Sequence, residues 1–231
     1  MLTARALTHA YGSRTVLHGV DLALEPGEVL GLGGSSGSGK TTLCRVLAGQ
    51  LVPSGGEVRL DGNRIKTPSR GHPAPVQYAP QSPELAVDPR WPVRKILANG
   101  GAPDPECLAA FGISEQWAER RPAQLSGGQL ARVSLARLFH PGLRVLICDE
   151  ITAQLDAIEQ DLLLRALIGL ARTRRIGLLL VSHNGALRAR FCSSSIVLDR
   201  GVPGSSGSSA ARRDGPDAAL LRPDKALPKV G

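Results

Sequence analysis

Apolar positions come in short stretches at the start of the chain and gather into unbroken runs further along. Stretches at 7–11 and 15–24, a Pro26-Gly27 turn and a stretch at 29–32 predict antiparallel strands leading into a central strand. The next residues, GGSSGSGKTTLCRVLAGQL, form a glycine-rich loop and then a helix over 41–51, with Leu43, Val46 and Leu47 as its apolar positions. Gly55-Gly56 and Asp61-Gly62 bracket a strand at 57–60, and a proline-rich connection over 67–75 leads to a short strand at 76–79. Between 81 and 125 the pattern is broken by Pro83, Pro89, Pro92, Pro103, Pro105 and Pro122, with helices at 93–98 and 106–111. An amphipathic helix at 129–139 follows, and then an apolar run at 144–148 of the kind expected for a strand buried on both faces. A helix at 157–172 and a second buried strand at 177–181 complete an α/β alternation.

This pattern predicts an α/β fold with a mainly parallel sheet, an N-terminal antiparallel β subdomain and an inserted helical subdomain at about 82–140. Residues 1–200 form the folded unit. After Asp199 the chain turns to GVPGSSGSSAARRDGPDAALLRPDKALPKVG. A Gly/Ser/Pro-rich segment of this kind cannot bury enough apolar surface to offset its ordering entropy, so 201–231 is expected to be a disordered tail.

Composition narrows the class. No apolar run reaches the roughly 18 residues needed to cross a bilayer, and the N-terminus lacks the apolar centre of a signal peptide, so neither feature is expected here. The formal charge of +8 is spread along the chain and aromatic residues are only 3%, which leaves few stacking platforms. No nucleic-acid partner is expected. Cys44, Cys107, Cys148 and Cys192 form no C-x-x-C pair and read as reduced structural thiols.

Candidate chemistry lies at the loop after the central strand. Gly34, Ser35, Ser36, Gly37, Ser38, Gly39, Lys40 and Thr41 fit G-x-x-x-x-G-K-[ST], with Thr42 following, between a strand and a helix as that motif requires. The glycines let backbone N–H groups curl around phosphate oxygens, and the helix N-terminus adds its positive dipole end. Lys40 would neutralise charge between the β- and γ-phosphates, and Thr41 would offer its hydroxyl to Mg²⁺. The core is therefore expected to be that of a P-loop NTPase. The buried run at 144–148 ends in Asp149 and Glu150, two acids at the C-terminal end of a strand, where an open α/β sheet presents groups to a nucleotide. Asp149 suits a metal role and Glu150 that of general base toward water.

Leu125-Ser126-Gly127-Gly128-Gln129 precedes a helix and stands twenty residues before Asp149. Serine and glycines at a helix start can present a hydroxyl, backbone N–H groups and a dipole to a phosphate without a lysine. With LSGGQ in this place the chain resembles the ATP-binding cassette family, over roughly residues 2–200. The resemblance implies that Tyr11 stacks on adenine and that Gln81 reaches toward Mg²⁺ and the attacking water where a membrane subunit docks. Asp156 would be the D-loop aspartate and His183 the switch histidine at the γ-phosphate.

The family pairs two cassettes head to tail, with each ATP held between the Lys40 loop of one chain and the Ser126–Gln129 patch of the other. Implied with it are ATP and Mg²⁺ as cofactors, ATP hydrolysis coupled to transport, and a second cassette, identical or related. Transmembrane permease subunits, an extracytoplasmic substrate-binding protein and a peripheral place on the cytoplasmic face of the membrane are implied as well. The stretches QYAPQSPELAVDPRWPVRKILA and LICDEITAQLD look like the peptide and nickel importer branch. Alternatives are a non-transport cassette and a low-activity partner in a heterodimer. Ala153-Gln154 stand where serine and alanine are usual before Leu155-Asp156, and Asn184 stands where aspartate is common after the histidine. The C-terminal region typical of many peptide importers is replaced by the tail.

Overall fold

The computed structural model describes residues 1–68 and 71–204. Among the described residues, ten strands form two sheets. The first is antiparallel and is built from β1 (Leu2–Tyr11), β2 (Arg14–Leu24), β4 (Gly55–Leu60) and β5 (Asn63–Arg64), in the order β2-β1-β4-β5. The second contains β3 (Val29–Gly33), β6 (Val76–Ala79), β7 (Val145–Asp149), β8 (Gly177–Val181), β9 (Ser194–Asp199) and β10 (Val202–Gly204). Its order is β10-β9-β3-β8-β7-β6, parallel throughout except for β10 against β9. This is the α/β architecture that the apolar pattern predicts.

Every residue of β3, β7 and β8 is buried, as a parallel sheet covered on both faces demands. Side chains alternate between those faces. Ile147 and Val145 join a cluster with Leu43 and Leu47 of α1 (Lys40–Leu47) and with Leu2 and Leu7 of the antiparallel sheet. Leu146 and Cys148 join the opposite cluster with Leu164 and Leu167 of α5 (Ala157–Thr173). Helix α1 is thus held by both sheets, which fixes the loop at its N-terminus.

Between these layers the chain runs through α2 (Val93–Leu97), α3 (Pro105–Ala110), α4 (Gly127–Ala136) and short 3-10 turns. Pro83, Pro105 and Pro122 each stand in a first helical turn, where a missing N–H costs nothing. This helical region has no core of its own. Val93, Ile96, Phe111 and Val133 belong to the same buried cluster as Leu146 and Leu164. Arg174, just past α5, also ties it down, pairing with Asp104 at 2.5 Å and Glu106 at 2.6 Å.

Three differences from the sequence pattern have physical reasons. β1 starts at Leu2, five residues before the predicted strand, because a bulge shifts its phase. Leu2 and Ala4 point inward, then Leu7 and His9, with Ala6 between them at φ 47° and its N–H donated to Asp21. Helix α1 stops at Leu47 instead of running to 51, since Gly49 turns into the left-handed region at φ 71°. Helix α6 (Gly185–Phe191) and strands β5, β9 and β10 were not anticipated. β10 also lies beyond the expected boundary at residue 200: the chain stays ordered to Gly204, paired to β9. The rest of the expected tail lies outside the described residues.

Candidate functional site

The phosphate loop connects β3 to α1 and is shaped by three glycines with positive φ, Gly34, Gly37 and Gly39. Gly34 has φ 142°, and a Cβ there would stand 2.3 Å from the Leu198 carbonyl oxygen. Gly39 caps α1 at φ 100°, with no side-chain cap and no acidic residue in the first helical turn. The N–H groups at that helix end are therefore left for an external acceptor. Lys40, 8% exposed, donates from Nζ to the carbonyls of Gly34 at 2.9 Å and Ser35 at 2.8 Å, so its ammonium is held inside the curl of the loop.

Beside it the end of β7 supplies the acids. Asp149 is buried, and its Oδ2 accepts from Thr41 Oγ1 at 2.8 Å and from Tyr78 OH at 2.9 Å. Burial, and then the neighbouring Asp149 carboxylate, push the Tyr78 phenol upward, so it stays a hydrogen-bond donor. Glu150 leaves the strand at φ 50°, a left-handed conformation rare for a residue with a side chain. Its N–H donates to Val181 at 3.2 Å, which joins the ends of β7 and β8. Its Oε2 lies 3.6 Å from Nδ1 of His183, whose side chain is 70% exposed. Cys44 and Cys148, just behind the acids, are buried, and burial raises both thiols, so they remain neutral.

These residues converge on one cleft of about 550 Å³. Tyr11, Ser36, Gly37, Gly39, Lys40, Thr41 and Thr42 line it together with Gln81, Asp149, Glu150 and His183. Tyr11 is half exposed at the mouth, edge-on to His9 with ring centroids 4.8 Å apart.

Ser126, Gly127, Gly128, Gln129 and Asp156 do not line this cleft. Ser126 caps α4 in a reciprocal box: its Oγ accepts from the Gln129 N–H at 3.2 Å, and Gln129 Oε1 accepts from the Ser126 N–H at 3.0 Å. Asp156 caps α5, accepting from the N–H groups of Ile158 and Glu159. Asn184 caps α6 through the N–H groups of Ala186 and Leu187, a task asparagine and aspartate perform about equally.

Sequence reasoning passed over Tyr78, whose bond to Asp149 depends on β6 lying beside β7, a pairing no local pattern announces. It also passed over Arg14, which lines the cleft opposite Tyr11 in the β1–β2 hairpin.

Comparisons with known proteins give the family. A family model described as ABC transporter matches residues 17–153. The nickel import ATP-binding protein of Rhodospirillum rubrum is 34% identical over 226 residues, covering 87% of this chain and 82% of its own length. The hemin import ATP-binding protein of Pseudomonas aeruginosa is 35% identical over 221 residues, covering 88% and 85%. Among solved structures, a dimeric bacterial ABC transporter cassette superposes with a TM-score of 0.75 at 25% identity, covering 89% of this chain and 97% of its own. The chain belongs to the ABC transporter family and is its ATP-binding, ATP-hydrolysing cassette.

Proposed function

We propose that this cassette powers an importer of nickel, peptides or a related small solute, working as one half of a nucleotide-sandwich dimer at the cytoplasmic face of a membrane. The observation that carries the reading is the meeting of Lys40, the Thr41–Asp149 pair, Glu150 and His183 in one cleft. The similarity to nickel and hemin import proteins supports the direction of transport. So does the similarity to an aliphatic sulfonates import protein of Xanthomonas axonopodis pv. citri, 36% identical over 204 residues.

In this reading Tyr11 stacks on adenine. The loop from Gly34 to Thr42 wraps the phosphates, and Lys40 exchanges its loop carbonyls for phosphate oxygens. Glu150 accepts a proton from the attacking water, while His183 and Gln81 orient the γ-phosphate and the water. Mg²⁺ fits the donor set: a hydroxyl and a carboxylate 2.8 Å apart, with Gln81 on the same cleft, are the few hard oxygen ligands this ion takes beside phosphates and water. When bound it would neutralise charge on the β- and γ-phosphates. Ser126, Gly127, Gly128 and Gln129 serve the nucleotide of the opposite cassette, and Asp156 faces that cassette. Permease subunits and an extracytoplasmic binding protein complete the assembly. No helix among the described residues is long and apolar enough to cross a membrane, which suits a peripheral subunit.

Ala153 and Gln154 are exposed in the turn before Asp156 and favour a second reading, a slow cassette paired with a faster relative. Reconstitution with the permeases separates the two. ATP-driven uptake of radioactive nickel, competed or not by short peptides and abolished by Lys40→Ala, supports the first. Uptake that survives Lys40→Ala and Glu150→Gln in this chain supports the second.

A further inference from the structure

We propose that Arg188 is a positioning residue for the hydrolytic step, setting the turn that carries His183 against the phosphate loop. The proposal rests on the reading of His183 given above. Helix α6 begins immediately after that histidine, and Arg188 lies one turn along it. Its side chain folds back: NH1 donates to the carbonyl of Ser182, and Nε donates to Ser195 Oγ on β9 at 3.3 Å. The guanidinium lies against β3, the strand that feeds the phosphate loop. A Cβ on Gly33 would meet Arg188 Cζ at 2.6 Å, and one on Gly31 would meet its Cδ at 3.3 Å.

Ser182 is held from two further directions. Its N–H donates to the Leu32 carbonyl on β3 at 3.1 Å, and its Oγ accepts from the Asn184 N–H at 3.1 Å. Asn184 then caps the helix that carries Arg188. The turn is thus a closed ring in which β3, Ser182, Asn184 and Arg188 hold one another. His183 sits inside that ring but has little packing of its own, being 70% exposed and 3.6 Å from Glu150. Its place is therefore set through the backbone. A planar fork that can satisfy a carbonyl and a hydroxyl together suits this task, and an ammonium on a flexible stem does not. The rival role for Arg188 is to fill space between α6 and β3, which would alter stability without selecting the chemical step.

The test measures kcat and KM for ATP, together with Tm, in the cassette assembled with its permeases. Arg188→Met and Arg188→Lys are compared in the wild-type and His183→Ala backgrounds. Misplacement of a group at the reaction lowers kcat, so Arg188→Met should reduce it by about ten-fold with KM for ATP little changed, and Arg188→Lys should restore only part of the loss. In the His183→Ala background Arg188→Met should cost less than about two-fold further, because the residue it positions is gone. If His183→Ala lowers kcat but Arg188→Met costs the same in both backgrounds, or lowers Tm alone, the positioning role is wrong and the reading of His183 stands. If His183→Ala turns over like wild type, that reading fails and this inference falls with it.

Discussion

The phosphate loop and the Ser126–Gln129 patch are both serine-glycine turns opening a helix, yet their helix ends are treated oppositely. At α1 the cap is Gly39, with no side chain to offer, and the first N–H groups await an acceptor. At α4 the serine and glutamine satisfy each other's backbone. In the reading proposed above the first end takes a phosphate, and Lys40 and Thr41 line the same cleft. The second is complete as a cap and lies off the cleft. Its serine nonetheless keeps a function in reserve: a hydroxyl has one donor and two acceptor positions, and capping uses only an acceptor. The O–H remains available to an anion brought by another chain, which on the proposed reading makes one region a binding site and the other half of one.

Substitutions can break or sharpen this contrast. The largest effect is expected from Glu150→Gln, which keeps the cleft but removes the proton acceptor. ATP turnover should fall by about 10²- to 10⁴-fold while ATP stays bound, measured by phosphate release and by nucleotide retention. Turnover at the wild-type rate would remove Glu150 from the role of base. Next comes Lys40→Ala, which takes a charged donor from the first region only. ATP affinity should weaken by about ten- to hundred-fold, read by calorimetry, with the α4 cap untouched. The smallest effect belongs to the second region. Ser126→Ala deletes a cap worth about 1 kcal/mol and should lower Tm by roughly 2–4 °C, with one-sided ATP affinity unchanged. A loss of affinity in the isolated chain would mean that the patch and the loop share a site within one copy.

Much of the first region was legible because its chemistry is local. The spacing from Gly34 to Thr41 names a loop, and the run ending at Asp149 names a buried strand. What stayed hidden depends on pairings distant in sequence. Tyr78 meets Asp149 only because β6 lies beside β7, and Arg188 reaches the phosphate-loop strand only because α6 packs against β3. The bulge at Ala6 hid the first half of β1 by moving its inward positions from even to odd numbers. β9 escaped because it opens on serines and is only half buried, although it pairs in parallel with β3 next to the loop. Gly201, expected to begin a tail, donates its N–H to the Ser38 carbonyl and accepts from the His18 N–H. The turn before β10 is therefore part of the wall that holds the phosphate loop in place.

The account depends on the two regions meeting across two chains. The most direct measurement mixes a Ser36→Cys copy with a Ser126→Cys copy, both carrying Glu150→Gln, and follows disulfide formation with and without ATP. A crosslink that forms between copies only with ATP, in the pair or with a related cassette as the mate, is the predicted result. A crosslink absent under every nucleotide condition, or equally strong without ATP, would contradict the account.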